Sequence, residues 1–218
     1  VGDGYAVAGT WFTPSHGGGD ANAGVYLENT TVQTSGGNLL LKGDGSSNIW
    51  GIVTYGSNTL DSGSGTIEWE GINSSTTNHA GILFGFHDVR KAGNTVFRSS
   101  ASNDAIKLMG IGKGSGDGVS IDGIVTMEST GAGSIKVLGT GGSSGYGVEV
   151  ANYYNGSKLN AYAASGDIII DGGSRGISVN QTSNIGIEFI SHSLGSMMGN
   201  YVSHKLITNS TIPTISGM

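Results

Sequence analysis

Glu68 and Glu70 flank Trp69 in the stretch 65–71. If that stretch is a strand, positions i and i+2 share a face and hold the two carboxyls roughly 6–7 Å apart, close to the separation an inverting glycosidase uses. Lys107 occupies the matching place in the next similar stretch. An ordinary cross-strand ion pair with Glu68 is therefore the preferred reading of this feature. Asp117 with Asp122, or Asp167 with Asp171, could offer oxygen ligands to calcium. Their spacing fits neither the EF-hand loop nor the glycine-rich nonapeptide repeat, so no metal and no cofactor is expected.

His16, His79, His87, His192 and His204 show no i, i+4 spacing and read as loop or surface residues. The stretches 141–145 and 172–176 spell Gly-x-Ser-x-Gly, but a nucleophile elbow needs a helix after the serine, and each is followed by a strand-like phrase. No catalytic residue is assigned, and the chain is expected not to be an enzyme. Asn29, Asn73, Asn155, Asn180 and Asn209 each open an acceptor sequon and could carry sugar wherever they reach the surface.

These residues are positioned by one recurring phrase of seven: glycine, any residue, aliphatic, any residue, aliphatic, any residue, glycine. It stands, with small substitutions such as Asp104 for the first glycine and Trp69 for the second aliphatic, at 37–43, 65–71, 104–110, 133–139 and 166–172, with a faint copy at 3–9, and successive copies are 28, 39, 29 and 33 residues apart. A second phrase, glycine followed by alternating aliphatics, begins at Gly24, Gly51, Gly81, Gly118, Gly147 and Gly176. Self-similarity at this period marks a repeat architecture. The paired aliphatics point to one face, and a single short strand has nothing to bury them against. Stacked roughly 4.8 Å apart, the copies form a parallel sheet with an aliphatic ladder inside. Glycine supplies the corners, through positive φ and lack of room for a side chain. The expected fold is all-β, a parallel β-helix of about six irregular repeats with little or no helix; a β-sandwich is the alternative.

One domain is expected over 1–218, with an irregular opening at 1–23, repeats at 24–180 and a variable terminal turn at 181–218. Glycine at 41 of 218 residues without a three-residue period excludes collagen. The net charge of −6, with 10 lysines and arginines in no long cluster, argues against nucleic acid and anionic membrane as partners. The sequence lacks cysteine, so no disulfide framework is built. No apolar run approaches a membrane span, and a start at Val1 without a signal peptide suggests a processed fragment. Leu40, Met109, Leu138 and Ile169 fall on outward positions of the phrase, where stacked rungs are expected to join some of them into an apolar patch that meets either a covering loop or, as a lateral interaction patch, a partner chain. An ice-binding solenoid would need threonines in register; Thr30, Thr31 and Thr34 give no such ladder.

The stretch 133–150, with its Gly-x-Ile-x-Val-x-Gly core followed by Gly141, Gly142, Tyr146, Gly147, Val148 and Val150, resembles the repeat of filamentous-haemagglutinin-like exoproteins of the two-partner secretion type. The resemblance extends over most of 24–180. It implies a right-handed parallel β-helix, export through a dedicated outer-membrane pore, and a secreted or bacterial cell-surface adhesin or fibre. Because a β-helix ends in open strand edges, other copies end to end or the rest of a longer solenoid are the expected partners, and surface glycans are the further expectation for an adhesin. The alternative function is a carbohydrate-active β-helix lyase or hydrolase working through outward carboxylates.

Overall fold

A computed structural model describes residues 5–8, 23–45, 50–74, 78–85, 93–151, 156–179, 187–191, 197–198, 205–208 and 215–216; for 5–8, 179 and the segments beyond it, only the backbone pairing is described. The chain coils through three parallel sheets, each gaining one strand per turn. After β1 (Tyr5–Ala8), the turns run β2 (Ala23–Glu28), β3 (Thr31–Gln33), β4 (Leu39–Asp44); β5 (Trp50–Tyr55), β6 (Ser57–Asp61), β7 (Ile67–Ile72); β8 (Ile82–Phe84), β9 (Asn94–Ser99), β10 (Asp104–Ile111). They continue with β11 (Val119–Ile121), β12 (Ile124–Ser129), β13 (Ser134–Thr140); β14 (Val148–Val150), β15 (Lys158–Ala163), β16 (Ile168–Asp171). Strands β17 (Ile177–Val179), β18 (Ile187–Ser191), β19 (Met197–Met198), β20 (Lys205–Thr208) and β21 (Ile215–Ser216) extend the same sheets. Within each turn the first strand joins wall B, the second wall C and the third wall A. Five such turns, β2 to β16, are described with their side chains, against about six expected. Among the described residues the only helical element is a 3-10 turn at Gly173–Arg175. No helix among the described residues is long and apolar enough to cross a membrane.

Wall A is the seven-residue phrase stacked on itself. Leu39, Ile67, Ile106, Ile135 and Ile168 pair rung to rung in one column, and all five are buried. Leu41, Trp69, Leu108, Val137 and Ile170 form the second inward column. The faint first copy is strand β1, paired with β4. The period of two thus places alternate residues inside, where burial of each aliphatic side chain contributes about 1.5–3 kcal/mol.

The phrase ends in glycine for want of space. A Cβ on Gly43, Gly71, Gly110 or Gly139 would strike the carbonyl of Gly51, Gly81, Gly118 or Gly147, the glycine that opens wall B. None of these corner residues adopts a left-handed φ, so of the two reasons expected for corner glycine, close approach is the one that operates here.

Two interior features were not expected. Trp69 of wall A, Phe84 of wall B and Phe97 of wall C meet in the lumen: Trp69 stacks on Phe84 at 5.9 Å and 11°, and meets the edge of Phe97 at 4.8 Å. At the corner from wall C to wall A, a column of hydroxyls runs along the solenoid through Thr34, Ser62, Ser99 and Ser129. Thr34 donates to the Gly37 carbonyl, Ser62 and Ser99 each donate at 2.7 Å to that of Gly65, and Ser129 donates at 2.6 Å to that of Gly133. Corner carbonyls that the ladders leave over are thereby satisfied from within.

Outward columns correct one expectation from the sequence. Thr31, Thr59 and Thr126 share a register position on wall C, with Val96 between the last two. Unequal turn lengths hide this threonine column, and its neighbours Asp61, Arg98 and Glu128 are charged.

Candidate ligand-binding cleft on wall B

Wall B differs from the other two on its outer face. Val53, Tyr55 and Leu83 point away from the lumen yet are buried, packing with Ala23, Tyr26 and Trp50 into a second apolar cluster. The outward column continues from Leu83 to Ser120 and Glu149. Where apolar residues give way to polar ones, a cleft of about 560 Å³ opens.

Its sides come from four consecutive turns, the second to the fifth described. Trp50 lies against the His79 imidazole at 4.4 Å. The Asn73 amide holds the His79 carbonyl at 2.8 Å, and Asn78 Oδ1 accepts from the Ser115 N–H at 3.0 Å. Burial lowers the His79 pKa, so this imidazole is neutral at pH 7. Tyr146 at the opposite rim is 43% exposed, one of two large apolar residues so open among those described. The Arg175 guanidinium is engaged nearby with the Gly145 carbonyl at 3.0 Å.

Three carboxyls line the floor. Asp117 Oδ1 accepts the Tyr146 N–H at 2.7 Å and shares a hydrogen bond with Glu149 one rung further on. Ser120 lies 3.4 Å from Asp122 Oδ1. Desolvation is the main cause of the shift in each acid, pushing Asp122 up to about 7 and Glu149 to about 8. Asp117 is raised as well, with its hydrogen bonds from Tyr146, Glu149 and Ser120 pulling the other way. Glu149 therefore carries the shared proton at neutral pH and Asp117 accepts it, an arrangement that can bind hydroxyls or act as acid and base.

Of the residues singled out in the sequence, Asp117, Asp122, His79 and the end of the 141–145 stretch line the cleft, and the others fall elsewhere. Glu68 and Glu70 sit outward on wall A and are paired, Glu68 with Lys107 at 3.2 Å and Glu70 with Lys42 at 2.6 Å. Asp117 and Asp122 do come together in the cleft, but among the described residues no group of three or more ligating side chains could hold a metal ion. Asp171 instead accepts the Gly173 N–H at 2.7 Å. The Gly-x-Ser-x-Gly stretches are a corner before β14 and the 3-10 turn before β17. His16, His87, His192 and His204 lie outside the described residues.

Leu40, Met109, Leu138 and Ile169 are all half-buried on the outer face of wall A, though not as one patch. Met109 and Leu138 are rung neighbours and Ile169 lies diagonal to Leu138, while Leu40 stands apart over Glu68. Asn29 is exposed and Asn73 is buried, so Asn73 does not meet the surface requirement for a glycan. Asn155, Asn180 and Asn209 lie outside the described residues.

Trp50, Ser120, Tyr146 and Glu149 escape a reading of the sequence because they meet only across turns about 30 residues apart. The one local signal is Glu149 at the outward position of a wall B phrase. No family model, curated protein or solved structure matches this chain.

Proposed function

We propose that the chain is part of an extracellular adhesive β-solenoid on a bacterial surface, which holds a glycan in the wall B cleft without transforming it. The observation that carries this reading is the register itself: the same phrase pairs with its copy through five described turns of wall A. A fold of that kind gains length by adding turns and presents long, stiff walls. The resemblance to filamentous-haemagglutinin-like exoproteins adds export and surface display, with further turns or further copies continuing the fibre.

The cleft suits a sugar chemically. Trp50 and Tyr146 offer ring faces for the apolar side of a pyranose, while Ser120, Asp117 and Glu149 offer acceptors and a donor for its hydroxyls. Small-angle scattering should give a rod-like particle of constant cross-section, and a glycan array should return ligands that Tyr146→Ala loses. A compact particle, or array binding that Tyr146→Ala leaves intact, would refute the reading.

One observation favours a second reading, a carbohydrate-active enzyme. The Asp117–Glu149 pair joins by a hydrogen bond two carboxyls that burial raises above the ordinary carboxylate range, Glu149 to about 8, and a carboxyl so raised can serve general acid–base catalysis. New reducing ends released from a polysaccharide panel, and lost in Glu149→Gln, would establish that reading over the first.

A further inference from the structure

The outer face of wall A carries two columns. Read from the first described turn to the fifth, one is Leu40, Glu68, Lys107, Lys136, Ile169 and the other Lys42, Glu70, Met109, Leu138, Asp171. Each sequence reversed is close to its own complement. Apolar Leu40 maps onto apolar Ile169, acidic Glu68 onto basic Lys136, basic Lys42 onto acidic Asp171, and central Met109 onto itself.

We infer that wall A pairs face to face with wall A of a second copy, about a two-fold axis that runs along the strands through the Lys107–Met109 rung. Rotation about such an axis keeps the columns and reverses the order of the rungs, so each match above becomes a contact and, except for Met109 on the axis, occurs twice. This is the self-complementarity an isologous interface requires. Shifting the axis by half a rung, between the second and third turns, sets Leu40 against Lys136 and Lys42 against Leu138, and loses it.

Two positions oppose the pairing. Glu70 would face Leu138, and Lys107 would face its own copy. Glu70 already has Lys42 at 2.6 Å. Lys107 already has Glu68 at 3.2 Å, and Lys136 has Asp104 at 2.7 Å, so the charges around the axis balance between the copies.

The size of the face sets the strength. Five rungs at about 4.8 Å, each with about 20 Å of strand, present roughly 500 Å² per copy. A pair buries about 1,000 Å² in all, below the usual 1,200–2,000 Å² of a stable complex. Association is therefore reversible and concentration-dependent. The inference deepens the fibre reading by adding a lateral contact, in which the solenoid axes run antiparallel, and it leaves the wall B cleft free.

The chain has no cysteine of its own, so single thiols report the geometry directly. Met109→Cys should be linked to itself by a short bis-maleimide, whereas Glu128→Cys on wall C should not. Sedimentation equilibrium should show dimers that Ile169→Glu weakens at least tenfold. Lys42→Glu and Asp171→Lys should each weaken the dimer, and the double variant should restore it. Circular dichroism of each variant checks that the solenoid is still folded. A monomer at every concentration, a dimer indifferent to Ile169→Glu, filaments through the sheet ends alone, or equal cross-linking at Glu128→Cys would overturn the pairing. Rod-shaped scattering from the Ile169→Glu variant is the separate measure of the fibre reading, since it needs no dimer.

Discussion

Asp117 Oδ1 accepts the backbone N–H of Tyr146 at 2.7 Å, tying the corner of the fourth described turn to that of the fifth. The same carboxylate shares the Glu149 proton. The exposed ring at the cleft rim and the acid on its floor are therefore held through a single group.

That arrangement predicts an inverted pH dependence. Glu149 is raised from 4.5 to about 8 and Asp122 from 3.8 to about 7, so the folded state holds protons that the unfolded chain gives up. The fold is least burdened at or below about pH 4. Stability should then fall as pH rises through the interval up to about 8. Discounted for solvent at the cleft, the loss in melting temperature should be on the order of 3–6 °C. Glu149→Gln should flatten the slope in thermal melts; an unchanged slope would remove the pair as its cause.

Inward and outward positions of one strand should respond oppositely to charge. Ile135→Asp buries a carboxylate without a partner and should cost several kcal/mol, enough to abolish cooperative unfolding. Leu138→Asp, three residues on and facing outward, should cost no more than about 1 kcal/mol. Urea denaturation followed by circular dichroism separates the two.

The corner glycines should tolerate no side chain. Gly139→Ala places a Cβ against the Gly147 carbonyl and should cost roughly 1–3 kcal/mol as overpacking. Ser143→Ala in the neighbouring corner removes only an exposed hydrogen bond to the Gly114 carbonyl and should stay within about 0.5 kcal/mol. Equal denaturation midpoints for the two variants would contradict the close-approach account.

Expression through a glycosylating secretory route should modify Asn29 and leave Asn73 bare. Asn29 is exposed, and it can keep its Oδ1 contact to the Ser57 N–H while Nδ2 carries sugar. Asn73 is buried, with Nδ2 committed to the His79 carbonyl. Peptide mass mapping decides this, and sugar on Asn73 would show that its turn opens before modification.

Wall A was legible in the sequence because aliphatic positions recur two apart and glycine marks both ends of every copy except the start at Asp104, so Ile67, Ile106, Ile135 and Ile168 could be aligned without coordinates. Wall B was not. Its strands are three residues long in the later turns, too short for alternation to tell inside from outside, and Val53 and Leu83 are buried on the outer face. The cleft was hidden for a different reason. Leu83, Ser120 and Glu149 become neighbours only once turns of unequal length are put in register, and no local pattern reports that. The lumen trio of Trp69, Phe84 and Phe97 draws one ring from each wall and is invisible to any single-strand pattern.

The hydroxyl column through Thr34, Ser62, Ser99 and Ser129 bears on how such a chain could change over generations. From that column to the first inward aliphatic of wall A the chain takes between five and seven residues in each of these turns: Thr34 to Leu39, Ser62 to Ile67, Ser99 to Ile106, Ser129 to Ile135. The other two corners are far more permissive. Phe84 to Asn94 spans ten residues where Ile121 to Ile124 spans three, and Gly71 to Gly81 spans ten where Gly172 to Gly176 spans four. One seam of the molecule is stitched within a narrow range of lengths while the other two can be let out, so new loops can be acquired there without rewriting the rungs they hang from.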